Sequence, residues 1–148
     1  MMTLRSLIFS FFMVIVSMTA FAEPIDKSRI QVVDGDTIRI DKQKPDVQLM
    51  GFDAPEIRGA RCDSEIDLGA KAARRLRSLI KDSKLEFSFI PCPCPVGKEG
   101  TAYCRRGRRC GVLKVNGNNV GDILIGEKLA VPAACEKARC DLPSWCPK

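Results

Sequence analysis

Two short acidic turns constrain this chain more than any other feature of its sequence. Residues 33–37 read VDGDT, and residues 51–56 read GFDAPE. Each segment places carboxylates at a tight turn beside a run rich in Ile, Val or Leu, which is typical of a β-strand. Four carboxylates delivered in this way can form one acidic pocket. We therefore interpret the two turns as two halves of a hard-cation site.

The charge balance and the absence of histidine narrow the chemistry. The chain carries a formal net charge of +6 and contains no histidine. A metal held by carboxylates inside a basic surface suits a polyanionic phosphate substrate. Without histidine, Ser-His-Asp and Cys-His catalytic arrangements are excluded. Any acid–base chemistry must come from Asp, Glu, Lys, Tyr or metal-bound water.

The N-terminal segment has the pattern of an export signal. Arg5 precedes an apolar run at 7–16, and Ala-Phe-Ala at 20–22 resembles a cleavage site. Residues 1–22 are therefore predicted to be a signal peptide, and residues 23–148 a single domain. A transmembrane anchor is the alternative, but the apolar run is short for a span and small residues follow it. We expect a periplasmic or secreted protein with no membrane attachment after cleavage.

The eight cysteines all follow the predicted leader. Their even number in an exported chain predicts disulfide bonds. Zinc is the competing interpretation, but the chain has no Cys-x-x-Cys and no histidine to complete a mixed site. Residues 133–148 hold three of the cysteines and show no periodicity. They are predicted to form a disulfide-pinned tail, in which Trp145 packs near the cysteines.

The hydrophobic pattern predicts five strands with a helix between the third and the fourth. The helix covers 64–81 with Ser64 or Asp67 as its N-cap, a second helix covers 120–129, and Asn116–Gly117 forms a hairpin turn. This order predicts an α+β fold, a five-stranded OB-type Greek-key barrel with two or three helices. The predicted strands are 29–33, 36–40, 46–52, 84–90 and 110–115.

Six sequence pieces, in order and spacing, resemble the staphylococcal nuclease, or thermonuclease, family. The resemblance covers residues 29 to about 132, and the cysteine-rich edges are similar to an exported, disulfide-bearing branch. It implies a monomeric calcium-dependent phosphodiesterase that acts on DNA and RNA. The matching pieces are 33–37, 49–56, 68–72, 107–108, 116–117 and 126–130.

The resemblance also implies roles for individual residues. Asp36 and Asp53 fall at the metal carboxylates, and Ala54 would offer its backbone carbonyl to the calcium ion. Asp34 would orient ligands or waters from just outside that set. Glu56 falls at the residue that orients or deprotonates the attacking water.

Two further positions concern the scissile phosphate. Arg108 falls at one of two arginines that bind it, although a solvated basic loop is the alternative for this segment. Gln48 occupies the position of the second arginine. Loss of such a donor typically costs on the order of 100-fold in rate. Whether neighbouring arginines compensate stays open; these are Arg58, Arg61, Arg105, Arg106 and Arg109.

Two functions from different classes remain open. The first is an exported metal-dependent nuclease of reduced activity. The second is a non-catalytic barrel of the same fold, an envelope accessory protein such as those found with exopolysaccharide production. Gln48 favours the second, whereas the complete set Asp36, Asp53 and Glu56 favours the enzyme. We expect the enzyme.

Overall fold

The computed structural model describes residues 22–98, 100–133, 135–136, 139–140 and 144–147. The predicted leader lies outside the described residues apart from Ala22. Two α-helices are present in this part of the chain, α1 (Asp63–Lys81) and α2 (Val120–Gly126), with 3-10 turns at Lys27–Arg29 and Arg105–Gly107. The strands are β1 (Glu23–Pro24), β2 (Ile30–Val32), β3 (Thr37–Ile40), β4 (Val47–Leu49), β5 (Phe52–Asp53), β6 (Leu85–Ile90), β7 (Arg109–Val115), β8 (Asn118–Asn119), β9 (Val131–Pro132), β10 (Cys135–Glu136) and β11 (Arg139–Cys140).

Seven of the described strands form one curled, mixed sheet. Its order is β1-β6-β7-β4-β3-β2, and β8 pairs with β7. The β4–β7 pair is parallel, with Val47 opposite Arg109, and the other pairs are antiparallel. Short ladders join β5 to β9 and β10 to β11. The predicted α+β class with two helices and a curled sheet is therefore confirmed.

The core lies between the sheet and the two helices. In β3 the apolar residues Ile38 and Ile40 point inward, because alternate residues of a strand face the same side. In α1 the buried residues recur at spacings of three and four, as predicted, and Leu76 is fully buried among them. Leu113 of β7 and Leu124 of α2 complete the contact between sheet and helices.

The prediction of one continuous third strand over 46–52 is wrong. The chain pairs as β4 only to Leu49, and Gly51 then adopts a φ of 98°, which glycine tolerates and other residues rarely adopt. The following residues form β5, which leaves the large sheet and pairs with β9, placing Asp53 opposite Val131. This break matters for function, because it turns Asp53 away from the β4 ladder.

Two predicted helix boundaries are also wrong. Cys62 is the N-cap of α1 and makes no side-chain cap bond, so neither Ser64 nor Asp67 has that role. Instead Glu65, inside the first turn, accepts the Arg61 N–H at 2.8 Å. The second helix ends at Gly126 rather than at residue 129. Lys128 has a φ of 59°, and the Leu129 N–H bonds back to the Leu124 carbonyl, a helix-terminating pattern.

Six cysteines form disulfides, as predicted, so the zinc alternative is excluded for them. The pairs are Cys62–Cys146, Cys92–Cys110 and Cys94–Cys104. The first joins residues 84 apart and attaches the C-terminal segment to the start of α1, which confirms a disulfide-pinned tail. The backbones of Cys135 and Cys140 are register partners. That all eight cysteines are paired stays a prediction that mass mapping of alkylated protein would test.

Neither helix in the described part of the chain has the length and hydropathy needed to cross a membrane.

Candidate metal centre

Backbone packing brings the two acidic turns together. The Asp36 carbonyl accepts the Leu49 N–H at 2.7 Å, and Asp36 Oδ2 accepts the Ala54 N–H at 3.4 Å. Between Asp34 and Asp36, Gly35 packs so closely that an added Cβ would lie 2.7 Å from the Cβ atoms of Ala54 and Ala72. A glycine is therefore required at this turn, because any side chain would push the two turns apart.

Asp36 is the carboxylate of the two turns whose pKa is shifted furthest. Its residue is 6% exposed, and its Oδ1 accepts a hydrogen bond from the Thr37 hydroxyl at 2.8 Å. Burial raises the pKa of Asp36 to about 6, and the charges of Asp53 and Glu56 add to that rise. The three carboxylates therefore lie close enough for their negative charges to interact.

Asp53 receives a hydrogen bond from the C-terminal tail. Its Oδ2 accepts the Trp145 Nε1–H at 3.2 Å. Burial raises the pKa of Asp53, the indole hydrogen bond acts in the opposite direction, and the charge of Glu65 adds to the rise. The Arg61 and Arg105 guanidinium groups lower it by charge attraction.

Asp34 lies in the turn next to these groups. It is 5% exposed, and burial raises its pKa although the Ile57 backbone N–H donates a hydrogen bond to it. Its Oδ1 is buried without a hydrogen-bond partner among the described residues. A buried acceptor with no donor is costly, and a cation or its bound water would satisfy it.

Glu56 faces two arginines. Burial raises the pKa of Glu56, and the charges of Arg108 and Arg106 act against that rise. The Arg106 Nη1 lies 3.6 Å from Glu56 Oε1. A further constraint comes from α1, where an added Cβ on Gly69 would lie 2.6 Å from the Pro55 carbonyl oxygen. The helix therefore packs directly on the backbone that carries Glu56.

Arg108 and Gln48 lie on the same face as these carboxylates. The Arg108 Nη1–H donates to Thr37 Oγ1 at 3.1 Å, and the same hydroxyl donates to Asp36. Gln48 is the cross-strand partner of Thr37. Side chains of directly opposite residues share one face, about 5 Å apart at Cβ. Gln48 and Arg108 therefore each neighbour Thr37, and the Arg108 guanidinium is hydrogen-bonded at the site rather than free in a basic loop.

A cavity of about 280 Å³ opens beside the carboxylates. Arg61 and Arg106 supply positive charge to its wall, whereas the Arg109 guanidinium stacks 4.4 Å from the Phe89 ring centre. The cavity is lined by Asp53, Ala54, Glu56, Gly59, Arg61, Glu65, Arg106 and Trp145.

The donor set fits a calcium ion. Asp36, Asp53 and the Ala54 carbonyl would supply hard oxygen ligands, and waters would complete a flexible shell. The buried Oδ1 of Asp34 lacks a hydrogen-bond partner among the described residues, and the charge of Asp34 acts on Glu56. Within the described residues, the acid and cysteine triplets converging to 4.8 Å are Cys62–Glu65–Cys146 and Cys92–Cys94–Cys104. A cation at the candidate centre would therefore depend on water ligands to complete its shell.

Two residues of this site were not found from the sequence. Glu65 is 3% exposed and binds the Arg61 N–H, yet an acid in the first turn of an amphipathic helix normally faces solvent. Trp145 was expected to pack near cysteines, and it does lie next to Cys146. Its hydrogen bond to Asp53 spans 92 residues, which no local pattern indicates.

No family model matches the chain, and no curated protein matches it. The function therefore has to be argued from the site itself.

Proposed function

We propose that this chain is an exported, calcium-dependent phosphodiesterase that hydrolyses DNA and RNA. The observation that carries the proposal is the joining of two acidic turns to an arginine through one hydroxyl. Thr37 Oγ1 donates to Asp36 and accepts from Arg108, so the cation ligands and a phosphate-binding guanidinium share one fixed partner. This arrangement suits a negatively charged phosphodiester held against a metal.

The sheet order supports an OB-type barrel as the scaffold. Its five longer strands follow the order β2-β3-β4-β7-β6, and the β4–β7 pair is parallel. The helix α1 lies in the chain between β4 and β6. We infer that the curled sheet is the five-stranded Greek-key barrel that the sequence predicts, with the short strands added at its edges.

The proposal gives each residue a task in the reaction. Asp36, Asp53 and the Ala54 carbonyl would hold the calcium ion, which when bound would supply positive charge at the phosphate. Asp34 would orient these ligands or their waters. Glu56 takes a proton from the attacking water while the water oxygen bonds to phosphorus. The bond to the departing sugar oxygen breaks, and that oxygen takes a proton from solvent water. The raised pKa of Glu56 brings its basicity closer to neutral pH.

The guanidinium of Arg108 stabilises the charge that develops on the phosphate oxygens. Gln48, opposite Thr37, donates a neutral hydrogen bond where a second cation would act more strongly. Arg106, which lines the cavity 3.6 Å from Glu56, supplies part of that charge. We therefore expect a slow enzyme.

A non-catalytic envelope protein is the second candidate, because Gln48 weakens transition-state stabilisation without preventing phosphate binding. Incubation of the purified oxidised protein with DNA and RNA, in calcium or in chelator, separates the two. We expect cleavage in calcium, none in chelator, and none by Glu56→Gln in either. Binding of nucleic acid without any cleavage would favour the accessory protein.

A further inference from the structure

The C-terminal tail contacts the candidate metal centre at one side chain. Trp145 Nε1 lies 3.2 Å from Asp53 Oδ2, and the next residue, Cys146, is bonded to Cys62 at the start of α1. Trp145 is half-buried and lines the same cavity as Glu56 and Ala54. One tail residue thus touches a proposed calcium ligand, and its neighbour is covalently attached to the domain.

The chemistry of the indole limits what Trp145 can do. Its Nε1–H is a donor only, so it cannot bind a cation. A donor on Oδ2 fixes the orientation of the carboxylate and leaves Oδ1 available to a metal. Outer hydrogen-bond partners of this kind orient metal ligands, and their loss typically weakens metal binding about 10- to 100-fold.

The disulfide explains how the tail stays in place. Within residues 144–147, the described contacts to the rest of the domain come from Trp145 and Cys146. Ser144 bonds only to Cys146. The Cys146 sulfur also lies 3.8 Å from Glu65 Oε2, which itself binds the Arg61 backbone. One indole hydrogen bond does not outweigh the entropy of ordering a chain end, whereas a covalent bond one residue away does.

We propose that Trp145 is a positioning residue for Asp53, and that the Cys62–Cys146 disulfide holds it there. The calcium affinity of the centre then depends on the oxidised tail. The inference rests on the proposed function for the identity of the cation. The contact between tail and carboxylate is independent of it.

The experiment uses the only tryptophan of the chain as its reporter. Calcium is titrated into the oxidised protein while tryptophan emission and the melting temperature are followed. We expect both to change with the same midpoint, and both changes to disappear in Asp53→Asn. Because Trp145 is the sole tryptophan, an emission change on cation binding places that binding next to its indole.

Three variants separate positioning from folding. Trp145→Phe keeps an aromatic ring and loses the donor; we expect at least 10-fold weaker calcium binding from the melting shift, with the midpoint in chelator unchanged. Cys62→Ser/Cys146→Ser should weaken binding by a similar factor. The matched control Cys94→Ser/Cys104→Ser removes a disulfide that has no described contact with Asp53 or Trp145, and it should leave the affinity within 2-fold. Trp145→Phe carries the test if the first double variant does not fold.

Each remaining outcome counts against a defined claim. Wild-type calcium affinity in Trp145→Phe would overturn the positioning role. A calcium-induced rise in melting temperature with unchanged emission would overturn it too, while leaving the cation site intact. If calcium changes neither signal in the wild type, the cation site and the tail's part in it both fail. An equal loss in the Cys94/Cys104 control would show a general effect of disulfide loss, and so contradict the inference.

Discussion

Two sets of carboxylates in this protein have opposite electrostatics. Away from the candidate centre, Asp41, Asp46 and Glu127 each meet one arginine through hydrogen bonds of 2.6–3.0 Å, and that contact lowers the pKa of each acid. At the centre, burial raises the pKa of Asp34, Asp36, Asp53 and Glu56. Glu65, which is buried beside the same cavity, differs from these four, because a hydrogen bond from the Arg61 backbone lowers its pKa.

This difference shows that burial, rather than arginine pairing, dominates the pKa of the carboxylates at the candidate centre. The chain has arginines to pair with acids, and it uses Arg39 in this way for Asp46. At the centre, Arg106 lies 3.6 Å from Glu56, and Arg105 interacts electrostatically with Asp36 and Asp53. The raised pKa values show that burial nevertheless disfavours the ionised form of these acids in the folded protein. Unfavourable burial of ionised carboxylates is typical of a site that binds a cation, because the bound ion offsets their negative charge.

The largest effect should come from removing the arginine at the centre. Arg108→Ala should lower nucleolytic turnover about 100-fold, because a preorganised donor to the developing phosphate charge is lost. Arg74→Ala, on the exposed face of α1, is the matched control and should change turnover less than 2-fold. Single-turnover cleavage of a labelled oligonucleotide measures both. Equal losses in the two variants would mean that general positive charge, and not the site, drives the reaction.

A gain of function is the next test, at Gln48. Because Gln48 lies opposite Thr37, which also binds Arg108, Gln48→Arg should raise turnover roughly 10-fold. The gain should vanish when Glu56→Gln is added, since a held phosphate does not react without an activated water. Tighter nucleic-acid binding with no cleavage would favour the non-catalytic function. A slower Gln48→Arg enzyme would show that another arginine already fills this role.

The smallest expected effects are on the free energy of unfolding. They have opposite signs for a carboxylate of the candidate centre and for one that is paired with an arginine. In chelator at pH 7–8, Asp36→Asn should stabilise the protein by about 1–3 kcal/mol, because it removes a buried charge. Asp46→Asn should destabilise it by about 1 kcal/mol or less, because Arg39 loses the negative charge of its partner. Urea unfolding measures both. Stabilisation by both substitutions would contradict the distinction between the two sets of carboxylates.

The pH dependence follows from the same pKa directions. The pKa of Asp36 is about 6 in the folded protein against an ordinary 3.8, so its contribution to stability is present below about pH 4. That contribution is lost as the pH rises towards 6. Asp46 has a lowered pKa, so its contribution is present above about pH 4 and lost as the pH falls. Unfolding of wild type and the two Asn variants across pH 3–7 in chelator should separate these opposing slopes.

Sequence reasoning reached the features of the fold that depend on neighbours in the chain. The alternation in β3, the stripe of α1 and the Asn116–Gly117 turn, where both residues have positive φ, were predicted because each is a local pattern. The approach of the two acidic turns, seen in the hydrogen bond from the Ala54 N–H to Asp36, was also anticipated, from the carboxylates that each turn carries.

The remaining features depend on contacts that no local pattern encodes. Gly51 ends β4 because the chain must turn towards β9, which lies about 80 residues further on. The Trp145–Asp53 contact lies next to the Cys62–Cys146 disulfide, and the sequence does not choose among the 105 pairings that eight cysteines allow. Glu65 is buried because its carboxylate accepts the backbone N–H of Arg61, which lies just before its own helix begins. Such long-range choices are made by packing and covalent closure rather than by propensity.

The most direct test of the account is the thermal response to calcium. A ligand that binds the folded state alone stabilises it in proportion to the logarithm of its concentration above Kd. We expect millimolar calcium to raise the melting temperature of the wild type, and to leave that of Asp36→Ala/Asp53→Ala unchanged. Asp46→Ala should respond like the wild type. No shift in the wild type, or an equal shift in the double variant, would contradict the claim that the buried carboxylates form a cation site.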